Sequence, residues 1–447
     1  MTVRIVNFGK NLRFTPQHFA SPTSEPDLLR TLAEHGASSV RCFGSRHAWS
    51  PLIQTNGLSL SLENFKQTTL VEVDGQQRVR VGAGCQIKRL IAFLNRHHMT
   101  LPTLGLIDEQ TLAGATSTGT HGSGHHSLSH LVQAVRVAHF DPASSQWVIR
   151  WIRNDDSFLP AARCSLGALG VITELELPVR PQYNIQEHIA HYTQLEDVLA
   201  AEDAYPQQQF FFIPWRWDFL AQHRTETALA PSWSAPLYRL FWLLGMDTCL
   251  HLLIVGLGRL LPWGSSKLAY RKLIRKIIPL GWKVVDRSDR QLTMQHELFR
   301  HIEMELFVQK SKLSDMLDAV RNHLERCAAK PKGRRYEHHY PICIRKVLPD
   351  DTWLSPASGG TEPWYAVSFI SYNRVNARDG FLEFATDLAE HAADTFGARP
   401  HWGKVCPLGT QRLRKLYPNW HRFLAAMDHF DANGIFRSTW LKERLRA

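Results

Sequence analysis

The sequence predicts an α+β fold with two domains, and three observations lead to that expectation. The chain has 447 residues, of which 44% are hydrophobic and 21% charged, so it can bury more than one core. Helical and strand-like patterns alternate from the N-terminus to about residue 178. Pro178 and Pro181 then interrupt the pattern, which places the expected boundary between domains of residues 1–178 and 179–447.

The elements of each domain follow from apolar residues that recur at helical spacing or alternate with polar ones. In the first domain we expect helices at Pro26 to Glu34 and Ile87 to His97, a hairpin at Val71 to Val81 turning at Asp74-Gly75, strands at Val132 to His139 and Trp147 to Ile152 joined at Asp141-Pro142, and a strand at Val171 to Leu177. In the second domain we expect strands at Phe210 to Ile213, His301 to Val308 and Tyr365 to Tyr372, a capped helix at Ser314 to Cys327 and a helix at Phe381 to Phe396.

One apolar segment, Leu237 to Leu261, is long enough to suggest a membrane. It contains Arg239, Asp247, His251 and Arg259, and charges near the centre of a spanning helix are costly. We therefore expect two buried helices or a surface-docking hairpin, and peripheral membrane contact stays open. Residues 1–14 lack a continuous apolar run, so we expect no signal peptide and a cytoplasmic location.

Charge and cysteine content narrow the classes of function. Lys and Arg outnumber Asp and Glu by 52 to 41, but no basic stripe is interleaved with aromatic residues, so nucleic-acid binding is not indicated. We interpret the positive charge first as a solvated basic surface, and a general attraction to anionic substrates or membrane surfaces is the functional alternative. Seven cysteines without a CxxC pair argue for a reducing compartment, against a disulfide framework and against a zinc site.

Two glycine-rich loops carry the strongest signal. Residues 105–124 contain five glycines and six Ser or Thr residues, and Gly44 to Pro51 forms a second loop of this kind. Glycine lets a backbone approach a ligand closely, and exposed N–H groups and hydroxyls can cradle an anion such as a pyrophosphate. Neither GxGxxG nor GxxxxGK[ST] is present, so a Rossmann NAD site and a P-loop are unsupported. The loops predict another phosphate-bearing cofactor.

A group of histidines at positions 121, 125, 126 and 130 raises the question of a metal site. A first-row metal usually takes carboxylate or thiolate partners in a closed geometry, and this stretch offers only imidazoles. We interpret His121, His125, His126 and His130 as loop residues and expect no metal.

Four motifs in order along the chain make the sequence resemble the aldonolactone oxidase and alditol oxidase branch of the vanillyl-alcohol oxidase flavoproteins. They are Gly44-Ser45-Arg46-His47 with Trp49-Ser50, Ala113-Gly114 through Thr118 to Gly124, Gly167 to Thr173, and Arg399 to Lys404. The resemblance implies a PCMH-type FAD-binding domain, followed by a substrate domain whose last fifty or so residues return to the flavin. It also implies that His47 bonds covalently to FAD.

The resemblance assigns further residues to the cofactor. The implied FAD-binding residues are Gly44, Ser45, Arg46, His47, Ala48, Thr111, Gly114, Thr118, Gly119, Thr120, His121, Gly122, Ile172 and His401. The backbone of Thr118 to Gly122 is expected to contact the pyrophosphate.

The implied chemistry is oxidation of a CH–OH group by hydride transfer to flavin N5, with oxygen or another electron acceptor completing the cycle. Arg345 and Lys404 are the expected catalytic residues, because fixed positive charge stabilises a developing alkoxide. Leu106, Cys343, Arg345 and Lys404 are expected to bind the substrate.

Two of these positions depart from the family pattern, which usually has Glu at Cys343 and often Ser at Leu106. Both replacements make the pocket more apolar. A sugar-derived polyol or aldonolactone is the first expected substrate. A more apolar or lipid-linked alcohol is the alternative, and an inactive flavoprotein-like binding protein is a second alternative.

Overall fold

A computed structural model describes residues 3–35, 39–250, 252, 278–294, 300–331, 335–372 and 375–446. The elements of the N-terminal part are, in chain order, β1 (Ile5–Val6), β2 (Arg13–Phe14), β3 (His18–Ala20), α1 (Glu25–His35), β4 (Val40–Phe43), β5 (Leu58–Ser61), β6 (Thr68–Val73), β7 (Gln76–Gly82), α2 (Ile87–Arg96), β8 (Met99–Thr100), α3 (Leu112–Thr116), α4 (Leu128–Leu131), β9 (Ala134–Asp141), β10 (Gln146–Ile152), α5 (Leu159–Arg163) and β11 (Val171–Pro178).

The C-terminal part continues with β12 (Arg180–Pro181), β13 (Asn184–Tyr192), α6 (Leu195–Ala200), β14 (Gln209–Ile213), β15 (Asp218–Thr227), α7 (Ala235–Leu240), a π-helical segment (Phe241–Leu250), β16 (Val284–Arg287), α8 (Ser288–Leu292), β17 (His301–Gln309), α9 (Leu313–Ala329), β18 (Ile342–Val347), β19 (Trp364–Tyr372), α10 (Val375–Phe396), β20 (Arg399–Pro400), α11 (Thr410–Leu416), α12 (Trp420–Phe430) and α13 (Thr439–Leu445).

Three sheets organise the described chain. A parallel sheet has the order β3-β5-β4, and an antiparallel five-stranded sheet has the order β10-β9-β11-β7-β6. The largest sheet has eight antiparallel strands in the order β16-β13-β15-β14-β18-β19-β17-β20. The predicted boundary at residue 178 falls between the five-stranded and the eight-stranded sheets.

The two halves of the chain pack against each other. One cluster of buried apolar side chains runs from Leu28 on α1 to Leu445 on α13. The C-terminal segment returns to the first half, because Ile435 O accepts a hydrogen bond of 2.9 Å from Val40 N. Buried Arg41 also donates to Phe436 O at 2.7 Å. This return brings the residues after β20 next to the glycine-rich loops.

Most predicted elements occur within two residues of their expected bounds, and the Asp74-Gly75 hairpin has both turn residues at positive φ. Two expectations were wrong in detail. Helix α9 has no side-chain cap and instead follows a 3-10 turn at Lys310–Lys312, whose carbonyl at Lys310 accepts from Leu313 N. Helix α10 begins six residues before Phe381, because the polar residues of its first turns gave no apolar repeat.

The apolar segment also differs from the expectation of buried helices. Helix α7 and the π-helical segment cover its first half, and Leu237, Leu240 and Leu244 are about half exposed there. The expected second half, 253–261, lies outside the described residues. Among the described helices, none is long and apolar enough to cross a membrane.

Candidate functional site

A cleft of about 970 Å³, part of it open to solvent, lies between the N-terminal loops and the segment after β20. Many of the residues assigned to the cofactor by resemblance line it: Gly44, Ser45, Arg46, His47, Ala48, Thr111, Gly114, Thr118, Ile172 and His401. Lys404 lines the cleft as well. The chain therefore gathers motifs more than 350 residues apart in sequence around one elongated space.

The loop after β4 is shaped to expose its backbone. A Cβ placed on Gly44 would lie 2.0 Å from Thr111 Oγ1, so only glycine fits there. Arg46 has φ of +59°, which turns the chain sharply. The backbone N–H groups of Gly44, Ser45 and Arg46 make no hydrogen bond to any described residue. These N–H groups line the cleft and are the donors that an anionic group needs.

Part of the second glycine-rich loop lies away from the cleft, and its expected contact with the pyrophosphate stays a prediction. The N–H groups of Thr118 and Thr120 already donate to Ala115 O, and that of Gly119 donates to Thr116 O. Gly119, Thr120, His121 and Gly122 are outside the cleft lining. A Cβ on Gly122 would lie 2.5 Å from Leu104 O, so this glycine serves close chain packing. The open donors on the cleft thus include those of Gly44, Ser45 and Arg46.

His47 is held in the wall of the cleft by aromatic neighbours. Its imidazole stacks on Phe8 with ring centroids 4.6 Å apart and planes 16° apart. Phe8 also meets Trp49 edge-on at 6.0 Å. Trp49 Nε1 donates to His301 O at 2.7 Å, and Lys404 Nζ lies 4.6 Å from the Trp49 ring centroid. This packing fixes the ring plane of His47, and Lys404 lies over the neighbouring Trp49 ring.

A charged cluster lies on the face of the eight-stranded sheet that meets the cleft. Arg345 Nη2 on β18 donates to Glu305 Oε1 on β17 at 2.7 Å. His121 Nε2 lies 3.4 Å from the same oxygen, and Glu305 is 1% exposed. Burial alone would raise the pKa of Glu305, but Arg345 and His121 outweigh it and hold that pKa well below its usual range. Arg345 is thereby fixed at the edge of the site.

A second carboxylate, Glu303, lies two residues earlier on β17 and on the same face. Its Oε2 contacts Lys404 Nζ, and its Oε1 accepts a hydrogen bond from Ser368 Oγ on β19. Val405 N donates to Glu303 O at 2.9 Å, which ties the Lys404 segment to the strand. Lys404 therefore bridges the sheet and the cleft.

His401 lies at the start of the same segment. Its Nδ1 accepts from Gly403 N at 3.0 Å, and its own N–H on the backbone donates to Glu305 O. Burial lowers the pKa of the His401 imidazole to about 3. The ring is therefore neutral at physiological pH and supplies no charge to the cleft.

Of the two positions that depart from the family pattern, Cys343 lies near the charged groups of Arg345 and Glu305 as well as beside apolar neighbours. Cys343 pairs with Phe211 on β14 and with Ser368 on β19, so the three side chains share one face of the sheet. Burial raises the pKa of the Cys343 thiol to about 11. Leu106 O accepts from Met294 N at 2.7 Å, and neither Leu106 nor Cys343 lines the cleft itself.

Of the histidines considered as metal ligands, His126 and His130 contact each other with ring centroids 4.3 Å apart, and the others have different partners. His125 Nε2 contacts Gln207, and His130 Nδ1 contacts Asp351 Oδ1 at 3.0 Å. Among the described residues, no three His, Cys, Asp or Glu side chains are grouped so that they could hold a metal ion.

Comparison with known proteins places this geometry in a family. Residues 16–141 match the model of an FAD binding domain, and residues 175–444 match that of D-arabinono-1,4-lactone oxidase. The chain is 42% identical to a long-chain alcohol oxidase of an uncultured marine euryarchaeote, over 99% of this chain and 97% of that protein. It is 27% identical to L-gulono-1,4-lactone dehydrogenase of Mycobacterium tuberculosis, over 96% of each protein.

Alditol oxidase of a Streptomyces species is 25% identical over the full length of both proteins. Among solved structures, cholesterol oxidase from Brevibacterium sterolicum superposes with a TM-score of 0.81 at 14% identity, covering 100% of this chain and 97% of that chain. This likeness shows the same PCMH-type FAD-binding fold.

The fold and the site define an FAD-dependent oxidoreductase that acts on CH–OH groups. The chain belongs to the D-arabinono-1,4-lactone oxidase family, in the aldonolactone and alditol oxidase branch of the PCMH flavoproteins. The predicted family and fold are confirmed. The relatives favour an enzyme over the alternative of an inactive binding protein.

Sequence reasoning missed two residues of the site, Glu303 and Glu305. Both occur inside the predicted strand His301 to Val308, at alternate positions, so they share one face. Two carboxylates on one face of an otherwise apolar strand were a signal of a functional site, because buried charges need partners. Their partners Arg345 and Lys404 come from distant parts of the chain, which the strand pattern alone does not reveal.

Proposed function

We propose that this enzyme oxidises the hydroxyl group of a long-chain aliphatic alcohol with FAD bound in the cleft. The observation that carries the proposal is Cys343. It stands beside Phe211, on the sheet face that carries Arg345, where a carboxylate would otherwise hold a sugar hydroxyl. A protonated thiol and a phenyl ring favour an alkyl chain over a polyol, because a polyol's hydroxyls would lose their hydrogen bonds to water. The 42% identity to a long-chain alcohol oxidase supports the same substrate class.

The cleft fits FAD. The open N–H groups of Gly44, Ser45 and Arg46 suit its pyrophosphate, and the glycine at position 44 permits the close approach. Bound FAD supplies the two-electron oxidation of the alcohol carbon. We propose that residues 1–178 hold the cofactor and residues 179–447 bind the substrate.

The chain's own residues do the remaining work at the substrate oxygen. Arg345 and Lys404 provide positive charge for the developing alkoxide, and Glu305 and Glu303 keep the two cations in place. Because all four side chains are at most 12% exposed, water screens these charges little.

We also propose a covalent bond between His47 and the flavin, supported by the position of His47 in the cleft wall and its fixed ring plane. The test is an absorption spectrum of purified protein before and after acid precipitation, with His47→Ala as control. Yellow colour retained in the wild-type pellet and released from the variant supports the bond. Release of flavin from the wild type contradicts it.

The substrate proposal is tested by anaerobic bleaching of the flavin. Dodecanol in mixed micelles, xylitol and L-gulono-1,4-lactone would be added to the same enzyme, with detergent present in all three. We expect dodecanol to reduce the flavin fastest; faster reduction by xylitol or the lactone would contradict the proposal. Hydrogen peroxide formation on admitting air would then distinguish oxygen from another acceptor.

A sugar-derived polyol or aldonolactone is the second candidate. The match of residues 175–444 to the D-arabinono-1,4-lactone oxidase model and the similarity to an L-gulono-1,4-lactone dehydrogenase favour it. Arg345 and Lys404 are equally suited to this substrate.

We further propose that the enzyme works at the surface of an anionic lipid bilayer. Four large apolar side chains three or four residues apart are exposed on and just before α7 and its π-helical continuation: Trp233 at 87%, Leu237 at 52%, Leu240 at 47% and Leu244 at 50%. A row of this kind on a helix that lies against the protein is typical of interfacial docking. Exposed Lys283, just before β16, and exposed Arg290 on α8 add positive charge in the neighbouring segment, which suits anionic headgroups.

Sedimentation with vesicles tests this docking. We expect binding to vesicles of phosphatidylcholine with phosphatidylglycerol, weaker binding to phosphatidylcholine alone, and loss of binding in the double variant Leu237→Ser, Leu240→Ser. Phe19→Ser is the matched control, since Phe19 is 40% exposed elsewhere on the molecule. Equal sedimentation of the double variant and the wild type would contradict the proposal.

A further inference from the structure

Oxidation of an alcohol leaves a proton that some group must accept. Cys343 occupies the position where the family usually has a carboxylate. Burial raises the pKa of its thiol to about 11, so at neutral pH the thiol is protonated and cannot serve as the acceptor. Two other carboxylates, Glu303 and Glu305, lie on the same sheet face.

Glu305 is unsuited to accept the proton. Its Oε1 receives Arg345 Nη2 at 2.7 Å and lies 3.4 Å from His121 Nε2. These partners hold the pKa of Glu305 well below its usual range despite its burial. A carboxylate so strongly stabilised in its ionised form is a weak base, and its role is to position Arg345.

Glu303 is placed between the substrate side and the cofactor side. Ser368, which donates to its Oε1, lies opposite Cys343 in the sheet register. Lys404, which contacts its Oε2, lines the cofactor cleft. In the register Glu305 is the residue directly opposite Ser368, and Glu303 lies two residues before it on the same face. Glu303 is nevertheless the carboxylate that contacts both Ser368, which is opposite Cys343, and Lys404, which lines the cleft.

We propose that Glu303 accepts the hydroxyl proton of the substrate while Lys404 holds the alkoxide that forms. This inference rests on the proposed alcohol oxidation and adds its base. The O–H bond breaks and its proton goes to a Glu303 oxygen. The C–H bond breaks, its hydrogen and electron pair pass to the oxidised flavin, and a C=O bond forms. Glu303 releases its proton to solvent when the product leaves.

Charged and titratable groups face Glu303 from several elements. They are His301, whose Nε2 lies 4.0 Å from Glu303 Oε2, Glu305 on the same strand, Lys404 after β20, and Cys343 and Arg345 on β18. Two cations, Lys404 and Arg345, thus face Glu303 from neighbouring elements, while Glu305 and His301 lie on its own strand.

The experiment compares Glu303→Gln, Glu303→Asp and Glu202→Gln with the wild type. Glu202 is the matched control, because it is a buried carboxylate paired with a lysine of the same sheet, Lys346, at 3.0 Å. Flavin reduction by dodecanol is followed in stopped flow from pH 5 to 9. A second readout is the infrared difference spectrum between the oxidised enzyme and the reduced enzyme with product still bound, which reports a newly protonated carboxyl.

We expect Glu303→Gln to slow reduction by about 10²- to 10⁴-fold, to lose the acidic limb of the pH profile and to lose the protonated-carboxyl band. Glu303→Asp should retain the limb and the band at a lower rate, which keeps the test decisive if the Gln variant does not fold. Glu202→Gln should keep the limb and the band.

Three results would overturn the inference. They are unchanged reduction in Glu303→Gln, slowed reduction with the acidic limb and the band retained, and loss of the band in Glu202→Gln. If dodecanol, xylitol and the lactone all fail to reduce the wild-type flavin, the proposed function fails instead, and the two failures are thus distinguishable.

Discussion

Both faces of the eight-stranded sheet carry a buried ion pair between a carboxylate and a cation, but only one of these pairs lies toward the cleft. Adjacent residues of β18 show the difference. Arg345 points to the cleft face and pairs with Glu305, whereas Lys346 points to the opposite face and pairs with Glu202. Glu202 also accepts hydrogen bonds from Tyr365 OH at 2.8 and 3.0 Å. On that face the Lys346–Glu202 ion pair is completed by the Tyr365 hydroxyl.

On the cleft face the pairing continues toward the cofactor. Glu303 and Lys404 extend the cluster, and Lys404 lines the cleft. A buried ion pair by itself is weak evidence of function, because such pairs often only satisfy each other. Contact with a cleft distinguishes the functional cluster from the structural pair, and substitutions on the two faces should separate them.

The largest expected effect is on catalysis through Lys404. Lys404→Met removes a positive charge at the developing alkoxide, and we expect flavin reduction by alcohol to slow by about 10²- to 10³-fold. Lys346→Met, on the opposite face, should change the rate by less than about threefold. Lys346 lies away from the cleft, so its loss should not alter the stabilisation of the transition state. Stopped-flow reduction of both variants checks this. Equal slowing in Lys404→Met and Lys346→Met would contradict the distinction between the two faces of the sheet.

The next largest effect is on the free energy of unfolding, because removing a cation leaves its buried carboxylate without that partner. Arg345→Met leaves Glu305 buried without its main partner, and we expect a loss of about 3–5 kcal/mol in the free energy of unfolding. Lys346→Met leaves Glu202 with the Tyr365 hydroxyl, so about 1–3 kcal/mol is expected. Urea unfolding of both variants at neutral pH measures the difference. A larger loss for Lys346→Met would reverse the assignment of the two faces.

A smaller effect concerns two buried histidines, His401 at the cleft and His338 on the other face. Burial lowers the pKa of His401 to about 3 and holds that of His338 well below its usual range. A depressed pKa stabilises the fold above the unfolded value of 6.5, and this contribution is lost as pH falls toward the folded value.

Unfolding followed from pH 7 to pH 4 should therefore show a falling free energy, with a shallower fall in His401→Gln and in His338→Gln. Only His401→Gln should also change the spectrum of bound flavin, because only His401 lines the cleft. A spectral change in His338→Gln would contradict the separation of the faces.

The smallest expected effect concerns the apolar neighbour of Cys343. Phe211→Ala removes alkyl contact beside Cys343, and we expect the KM for dodecanol to rise about tenfold. The KM for a short alcohol such as propanol should stay the same, since its chain ends before Phe211. Matching rises for both alcohols would indicate a general loss of packing instead.

Prediction from sequence succeeded for elements whose apolar pattern is regular and failed for strands with polar faces. Strands β13 and β15 were missed, because their inward residues include Glu187, Gln222 and Arg224. These side chains are buried together: Glu187 receives Arg224 Nε at 2.6 Å and Gln222 Nε2 at 2.7 Å. Hydrophobic periodicity cannot recognise a buried polar network, because each member is tolerated only by partners on other strands.

Some residues of the candidate site were also predictable from the sequence, and others were not. The motif at Gly44 to Ala48 and the residues Thr111, Gly114, Thr118, Ile172 and His401 could be assigned by resemblance, and they line one cleft. The glycine-rich loop from Gly119 to Gly122 was expected there too, but the N–H groups of Gly119 and Thr120 donate to Thr116 O and Ala115 O, and Gly122 serves close packing. Which N–H groups stay open depends on how the loop folds back.

The sequence by itself determined the family, the cofactor class and the position of the loops, because glycines, turn residues and ordered motifs act locally along the chain. Only the tertiary structure decided which charges meet. Glu303 pairs with Lys404 and Glu305 pairs with Arg345, and these partners lie about 100 and 40 residues away in sequence. Coulomb interactions depend on the distance between charges in space and on their burial, and the order of residues along the chain reveals neither quantity.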